Sequence, residues 1–374
     1  MKKRYQEIDI LKGIAIILMV AAHCGAPFTR FAFLFHMAAF FMASGFCYRE
    51  KTAESLRSVG KNILRKIKTL WVPFFIWNTV FVLLRNGLIR INIYTDNPLV
   101  EQYGGHVTEA YTAGDMLRRI AGGALFSYKE EIIGALWFLK ILFLLSLAFC
   151  VMDFLVKRVT RGSRTARLLV HLGLSGVFLG LGYWGSVRDE QLFGISYVGS
   201  YYCLFYLGHC LSLLREKMKN WHWTVWVLIL LLSYGALKLL QPLGGIGLNQ
   251  NKYGSPFFLL ATSVSGWCFL YSFSSLLSRI PVIGTGVAFV GRHTMPVVIF
   301  HFLAYKLVAC LIVILRHLPA YCIAVFTCLD GGGAWWMVYT IVGTAVPILL
   351  GLLYQSVRKH VSWNRRKMVN ELHE

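Results

Sequence analysis

Acidic residues are scarce in this chain: 17 Asp and Glu stand against 38 Lys and Arg in 374 residues. Charge of either sign is also scarce, at 15% of residues, while 57% are apolar. The sequence has no Walker-type phosphate loop, no GxGxxG turn after a strand and no low-complexity linker, which excludes an appended nucleotide-binding domain of those kinds. Nine cysteines (24, 47, 150, 203, 210, 268, 310, 322, 328) show neither metal-ligand spacing nor a disulfide framework, so no metal site is expected. Cys322 and Cys328 share one connection and could pair there; otherwise the cysteines read as small apolar fillers.

What the chain has in abundance is apolar runs close to the ~20 residues that cross a bilayer as a helix. Ten such spans are expected, at about 8–27, 31–48, 70–87, 132–155, 167–184, 194–214, 222–240, 256–278, 293–315 and 335–355. The fold class is therefore an all-α integral membrane protein, one transmembrane domain over 1–374 with no separate soluble catalytic part. No small-residue cleavage signature follows the first span convincingly, so it reads as retained.

A net charge of +21 raises the possibility of nucleic-acid binding, and the placement of the basic residues argues against it. Of the 38 Lys and Arg, 25 fall at the two termini and in every second connection, chiefly 49–68, 157–167, 215–219 and 279–292. The positive-inside rule then puts both termini and these connections in the cytoplasm. The long connection 88–131 lies outside, where Arg90, Arg118, Arg119 and Lys129 are offset by Asp96, Glu101, Asp115, Glu130 and Glu131. Orientation and attraction to anionic lipid explain most of the basic residues. The face formed by Arg49, Arg57, Lys61, Arg65 and Lys68 at helical spacing also suits the phosphates of an anionic donor.

Within "KGIAIILMVAAHCGAPFTRFAFLFHMAAFFMASG" (12–45) the polar residues are unexpected, because an ionisable group in a span costs at least ~2.5 kcal/mol and usually faces a wet interior. Lys12 has Asp9 three positions earlier as a possible partner. Eleven residues, or ~16 Å of helix, separate Lys12 from His23 on one face. His36 follows the turn at "GAPFTR" and returns to the depth of His23, so the two histidines are expected to share a site. Ser44 and Gly45 suit close helix packing. An imidazole can strip a proton from an attacking hydroxyl or carry an acyl group itself, and both roles stay open.

"IDILKGIAIILMVAAHCG" with "FLFHMAAFFMASGFCY" resembles the opening of the acyltransferase-3 family of membrane O-acyltransferases. "GALWFLKILF" (134–143) and "VGRHTMPVVIFHFLAY" (290–305) are similar to later family segments, with Ala38 standing where the family has proline and Phe46 where it has tyrosine. The resemblance implies a catalytic His23, Lys12 as its basic partner and His36 close by. It also implies no permanently bound cofactor: a cytoplasmic acyl-CoA, commonly acetyl-CoA, donates to a hydroxyl of an extracytoplasmic carbohydrate or glycan in a bacterial plasma membrane. The family's frequent fused esterase-like domain is missing, so the chain is expected to act alone or pass its acyl group to a separate extracytoplasmic partner.

Trp137, Arg292 and His301 are lesser candidates. Trp137 reads first as an interfacial anchor. Arg292 fixes orientation or holds a donor phosphate, and His301 is a packing partner or a site residue. In the outside connection Tyr94, Asp96, Tyr103, His106, Tyr111, Arg118 and Arg119 would suit sugar hydroxyls or a phosphate, although each also reads as ordinary solvated loop. The alternative function is a small-molecule transporter using the buried Lys and His residues, but no internal repeat of the first hairpin is present.

Overall fold

A computed structural model describes residues 5–189 and 194–371, without the side chains of 359 and 361–371. The basic residues at 2–4 and the side chains of Lys359, Arg365, Arg366 and Lys367 lie outside what is described. Helices make up most of the described chain. In order they are α1 (Gln6–His23), α2 (Thr29–Phe33), α3 (His36–Phe46), α4 (Leu56–Lys66), α5 (Val72–Arg90), α6 (Ala113–Ala124), α7 (Trp137–Val159), α8 (Arg164–Val187), α9 (Ile195–Met218), α10 (Trp223–Leu240), α11 (Pro256–Leu277), α12 (Pro281–Arg292), α13 (Thr294–Leu315) and α14 (Trp335–Glu371).

Each expected span has a helix, and among the described residues eight helical stretches are long and apolar enough to cross a membrane. The protein is thus an all-α, multi-pass membrane protein. The other two helices at expected spans are α1, which carries Glu7, Asp9 and Lys12, and α9, which carries His209 and four tyrosines among its polar residues. Both are largely buried along their length. Helices α10 and α14 instead expose Leu228, Leu231, Leu232, Leu349 and Leu353, as a lipid-facing shell would. The polar helices therefore sit inside the bundle, sheltered by apolar ones.

Glycines permit that close packing. A Cβ at Gly208 of α9 would fall 1.9 Å from the Met42 carbonyl oxygen, and one at Gly45 of α3 1.8 Å from that of Phe205. The two backbones touch because neither glycine has a side chain.

The structure departs from the expected spans in four places. The second span is broken: α2 stops after Phe33, and Phe35, with φ −144° and ψ −23°, restarts the chain as α3. Its side chain seats on Gly266 of α11, where an added Cβ would come within 1.9 Å of Phe35 Cβ. The third span is part of one helical run, 56–90, in which α4 passes through a π-helical turn at Ile67–Trp71 into α5. The connection 88–131 contains α6, capped by Thr112 and Asp115 acting reciprocally. The connection 279–292 contains α12, which lies on α1.

The basic connections meet at one end of the bundle, where Glu50 pairs with Arg167, His209 lies 3.7 Å from Glu50, and Arg279 donates to the Trp221 carbonyl. At the other end a buried ion pair fixes the long connection. Glu130 is fully buried and accepts from Arg85 at 3.0 Å, Tyr94 at 3.1 Å and Tyr128 at 2.9 Å. Burial, reinforced by the neighbouring carboxylate, pushes the Tyr94 phenol well above its ordinary value, so it remains a donor. Glu130→Ala leaves Arg85 uncompensated, and thermal unfolding in detergent is expected to show a loss of about 3–5 kcal/mol. An unchanged melting temperature would show that the pair contributes nothing.

Candidate active site

The polar stripe of α1 lines a cavity. Lys12 pairs with Asp9 at 3.0 Å. Lys12, Ile16, Met19 and His23, successive residues along one face of α1, all border a cavity of about 470 Å³, within the usual size range for ligand sites. His36, Met37, Phe40 and Ser44 of α3 form the facing wall. The two helices run antiparallel, so His23 and His36 share the deep part and Lys12 and Ser44 the part nearer the basic end.

His301 joins the histidines. Its ring centroid lies 5.6 Å from that of His23, and Phe33 bridges His23 and His36 at 6.2 and 5.3 Å. A carbonyl can only accept, so two tautomers are fixed. His36 Nδ1–H donates to the Ala32 carbonyl at 2.7 Å, and His301 Nδ1–H to that of Val297 at 2.8 Å. In each neutral ring the lone pair is then on Nε2. His301 is fully buried and its Nε2 has no hydrogen-bond partner among the described residues. His23 is half-buried, and its contacts among the described residues are with rings rather than with hydrogen-bonding groups. His23 and His36 both border the chamber, and of the two only His36 has a ring nitrogen committed to a backbone carbonyl among the described residues.

A second cavity of about 270 Å³ opens at the basic end, lined by Tyr48, Arg49, Asn62, Arg65 and Lys66. Ser44 and Cys47 line both cavities, so the two meet at the end of α3. Arg49 and Arg65 are therefore brought to the site. Arg57 and Lys61 are exposed on α4 and line neither cavity. Eight helical positions rotate the chain by ~80°, which separates Arg65 from Arg57. Tyr48 is held by Asp153, which accepts from its hydroxyl at 2.9 Å and lies 3.4 Å from both Lys157 and His171.

Arg292 is exposed at the end of α12 against the Phe289 ring and does not line either cavity. Trp137 stands in the wall of the large cavity, at the start of α7.

Sequence reasoning gave no site role to four contributors. Asn62 and Lys66 sit beside Arg65, hidden in a basic run. The connection 246–250 reaches the large cavity from the opposite end, its carbonyls held by Tyr201 on Leu248 at 2.7 Å and by Tyr197 on Asn249 at 3.1 Å. Nothing in "GGIGLNQNKYG" signals that placement. Lys306 is buried in α13 and donates to the carbonyls of Ile323, Ala324 and Val325 at 3.0 to 3.1 Å, fixing the connection that covers His23. From that connection Thr327 donates to the His23 carbonyl at 2.6 Å. Lys306→Met leaves those carbonyls unpartnered, and the expected result is faster proteolysis between 316 and 334 and a loss of at least ~1–3 kcal/mol on thermal unfolding. Cys322 and Cys328 are free thiols.

The arrangement combines a cationic cavity at one end, a neck and a chamber with a free imidazole, a composition suited to moving a group from an anionic carrier to a hydroxyl. No curated protein and no solved structure matches the chain. The model of a family described as an acyltransferase domain matches residues 5–351, nearly its whole length. With the all-α membrane bundle, that match shows that the chain belongs to the acyltransferase-3 family of membrane acyltransferases.

Proposed function

We propose that this protein transfers an acyl group, acetyl in the simplest case, from cytoplasmic acyl-CoA to a hydroxyl of an extracytoplasmic carbohydrate, from the plasma membrane. The observation that carries the reading is the junction at Ser44 and Cys47. There the cavity lined by Arg49, Arg65 and Lys66 opens into the chamber lined by Lys12, His23 and His36.

In this scheme the phosphates of the donor rest on the cations at the basic end, and its pantetheine arm passes the neck so that the thioester lies in the chamber. The acceptor enters from the side of the 246–250 connection. Its hydroxyl oxygen attacks the thioester carbon, His23 takes the hydroxyl proton, the carbon–sulfur bond breaks and the proton returns to the departing CoA sulfur. His301 and His36 keep their tautomers through their carbonyl bonds and hold the His23 side of the chamber polar. Lys12, anchored by Asp9, supplies a fixed positive charge near the neck.

Steady-state kinetics with labelled acetyl-CoA test the donor half. Arg65→Gln and Lys66→Gln are each expected to raise the donor KM about tenfold or more, the size of one charge-assisted contact, with kcat changed far less. Unchanged KM values in both variants would remove the phosphates from this cavity.

A further inference from the structure

A third cavity, of about 190 Å³, adjoins the chamber on the side away from the basic connections. Trp137 and Asn249 line both, so one layer of side chains separates the two spaces. Its other walls are aromatic and cationic, with Phe74, Phe126, Tyr128, Lys129 and Lys140 among them. No Asp or Glu borders it, and neither lysine makes an ion pair among the described residues. Lys140 Nζ donates to the Phe126 carbonyl at 3.1 Å, which draws the ammonium back against the 126–129 turn and fixes it in the cavity wall. Tyr128 donates to Glu130 at 2.9 Å, so that the buried Arg85–Glu130 pair anchors the same turn.

Glu131 acts on Lys129 from outside the cavity lining and pairs with His106 at 3.0 Å, so the two ammoniums that face this small space repel each other with no counter-charge within it unless an anion lies between them. The flanking rings present apolar faces with hydroxyl or indole edges, a surface that covers the apolar face of a sugar while leaving its hydroxyls to polar partners. We propose that this cavity binds an anionic group on the acceptor, a carboxylate or phosphate carried by or next to the sugar that is acylated. The proposal rests on the acyltransferase reading above and adds to it the charge class of the acceptor. An anion held between Lys129 and Lys140 sets a neighbouring sugar hydroxyl past Trp137, toward the chamber.

Equilibrium binding tests this without any turnover. Purified full-length protein in detergent is titrated, by calorimetry or tryptophan fluorescence, with three probes: a neutral hexose oligosaccharide, a uronic-acid oligosaccharide of equal length and a hexose 1-phosphate. Wild type is expected to bind one or both anionic probes at least tenfold more tightly than the neutral one, and the difference between the two identifies carboxylate or phosphate. Lys129→Gln and Lys140→Gln are each expected to lose most of that preference while retaining their melting temperatures, and Lys140→Arg to retain it. Equal binding of neutral and anionic probes by wild type overturns the proposal. So does a preference that survives the double Gln variant. Acetyl-CoA turnover by wild type is followed in parallel, and its absence would count against the acyltransferase reading alone, since the binding comparison stands by itself.

Discussion

Replacing His23 with alanine is expected to lower acyl transfer by about 10²–10⁴-fold, the usual contribution of a positioned general base. The protein should remain inserted and folded, because His23 ends α1, is half-buried and makes only ring contacts through its side chain among the described residues. His36→Ala and His301→Ala should act differently. Both remove a buried ring and its carbonyl bond, so each is expected to lower thermal stability as well as rate. The rates are read with labelled acetyl-CoA, and folding by size-exclusion profile and thermal melt. A His23→Ala protein with wild-type turnover would remove the imidazole from the mechanism.

Blocking the neck should cost as much as removing the histidine. Ser44 lies one helical turn before Cys47, and the two line both cavities. An indole at position 44 would project into the passage that the pantetheine arm must occupy. Ser44→Trp is expected to reduce acetyl-CoA turnover by at least ~10²-fold, because reacting groups displaced by an ångström or more lose about that much. Its three histidines are unaltered. Cys47 offers the same test without mutation, being an exposed free thiol in the neck. A bulky maleimide on Cys47 should abolish turnover, and saturating acyl-CoA should slow the modification. If Ser44→Trp turns over normally, the donor reaches His23 by another route.

How much of this could be read in the residues differs from one part to the next. The stripe from Lys12 to His23 was legible because an isolated cation and an imidazole in an apolar helix are costly, and because eleven residues return to the same face. The matched depth of His36 followed from the short turn. The break at Leu34–Phe35 was not legible, since Phe35 sits in an unbroken apolar run and its conformation is set by a distant glycine, Gly266. Helices α6 and α12 were missed because each is 12 residues long and glycine-containing, too short to stand out as a span. In the basic run the composition gave a cationic helix, but which side it turns to the cavity depended on the join to α5. Arg65 therefore reaches the second cavity while Arg57 and Lys61 do not. His301 carried a signal, an ionisable residue inside a span, yet its partnership with His23 depended on how α13 lies against α1. The 246–250 connection carried none, because backbone carbonyls bound by α9 tyrosines place it.

The most direct measurement of the central claim uses purified protein reconstituted in vesicles, with labelled acetyl-CoA supplied at one face only. Release of CoA is followed together with capture of label by the uronic-acid and neutral oligosaccharides enclosed within. The account predicts turnover when the donor meets the face bearing Arg49, Arg65 and Lys66, label on the enclosed sugar, and loss of both signals in His23→Ala. Folded protein that releases no CoA from the donor at either face, or that turns over equally well from both, would contradict it.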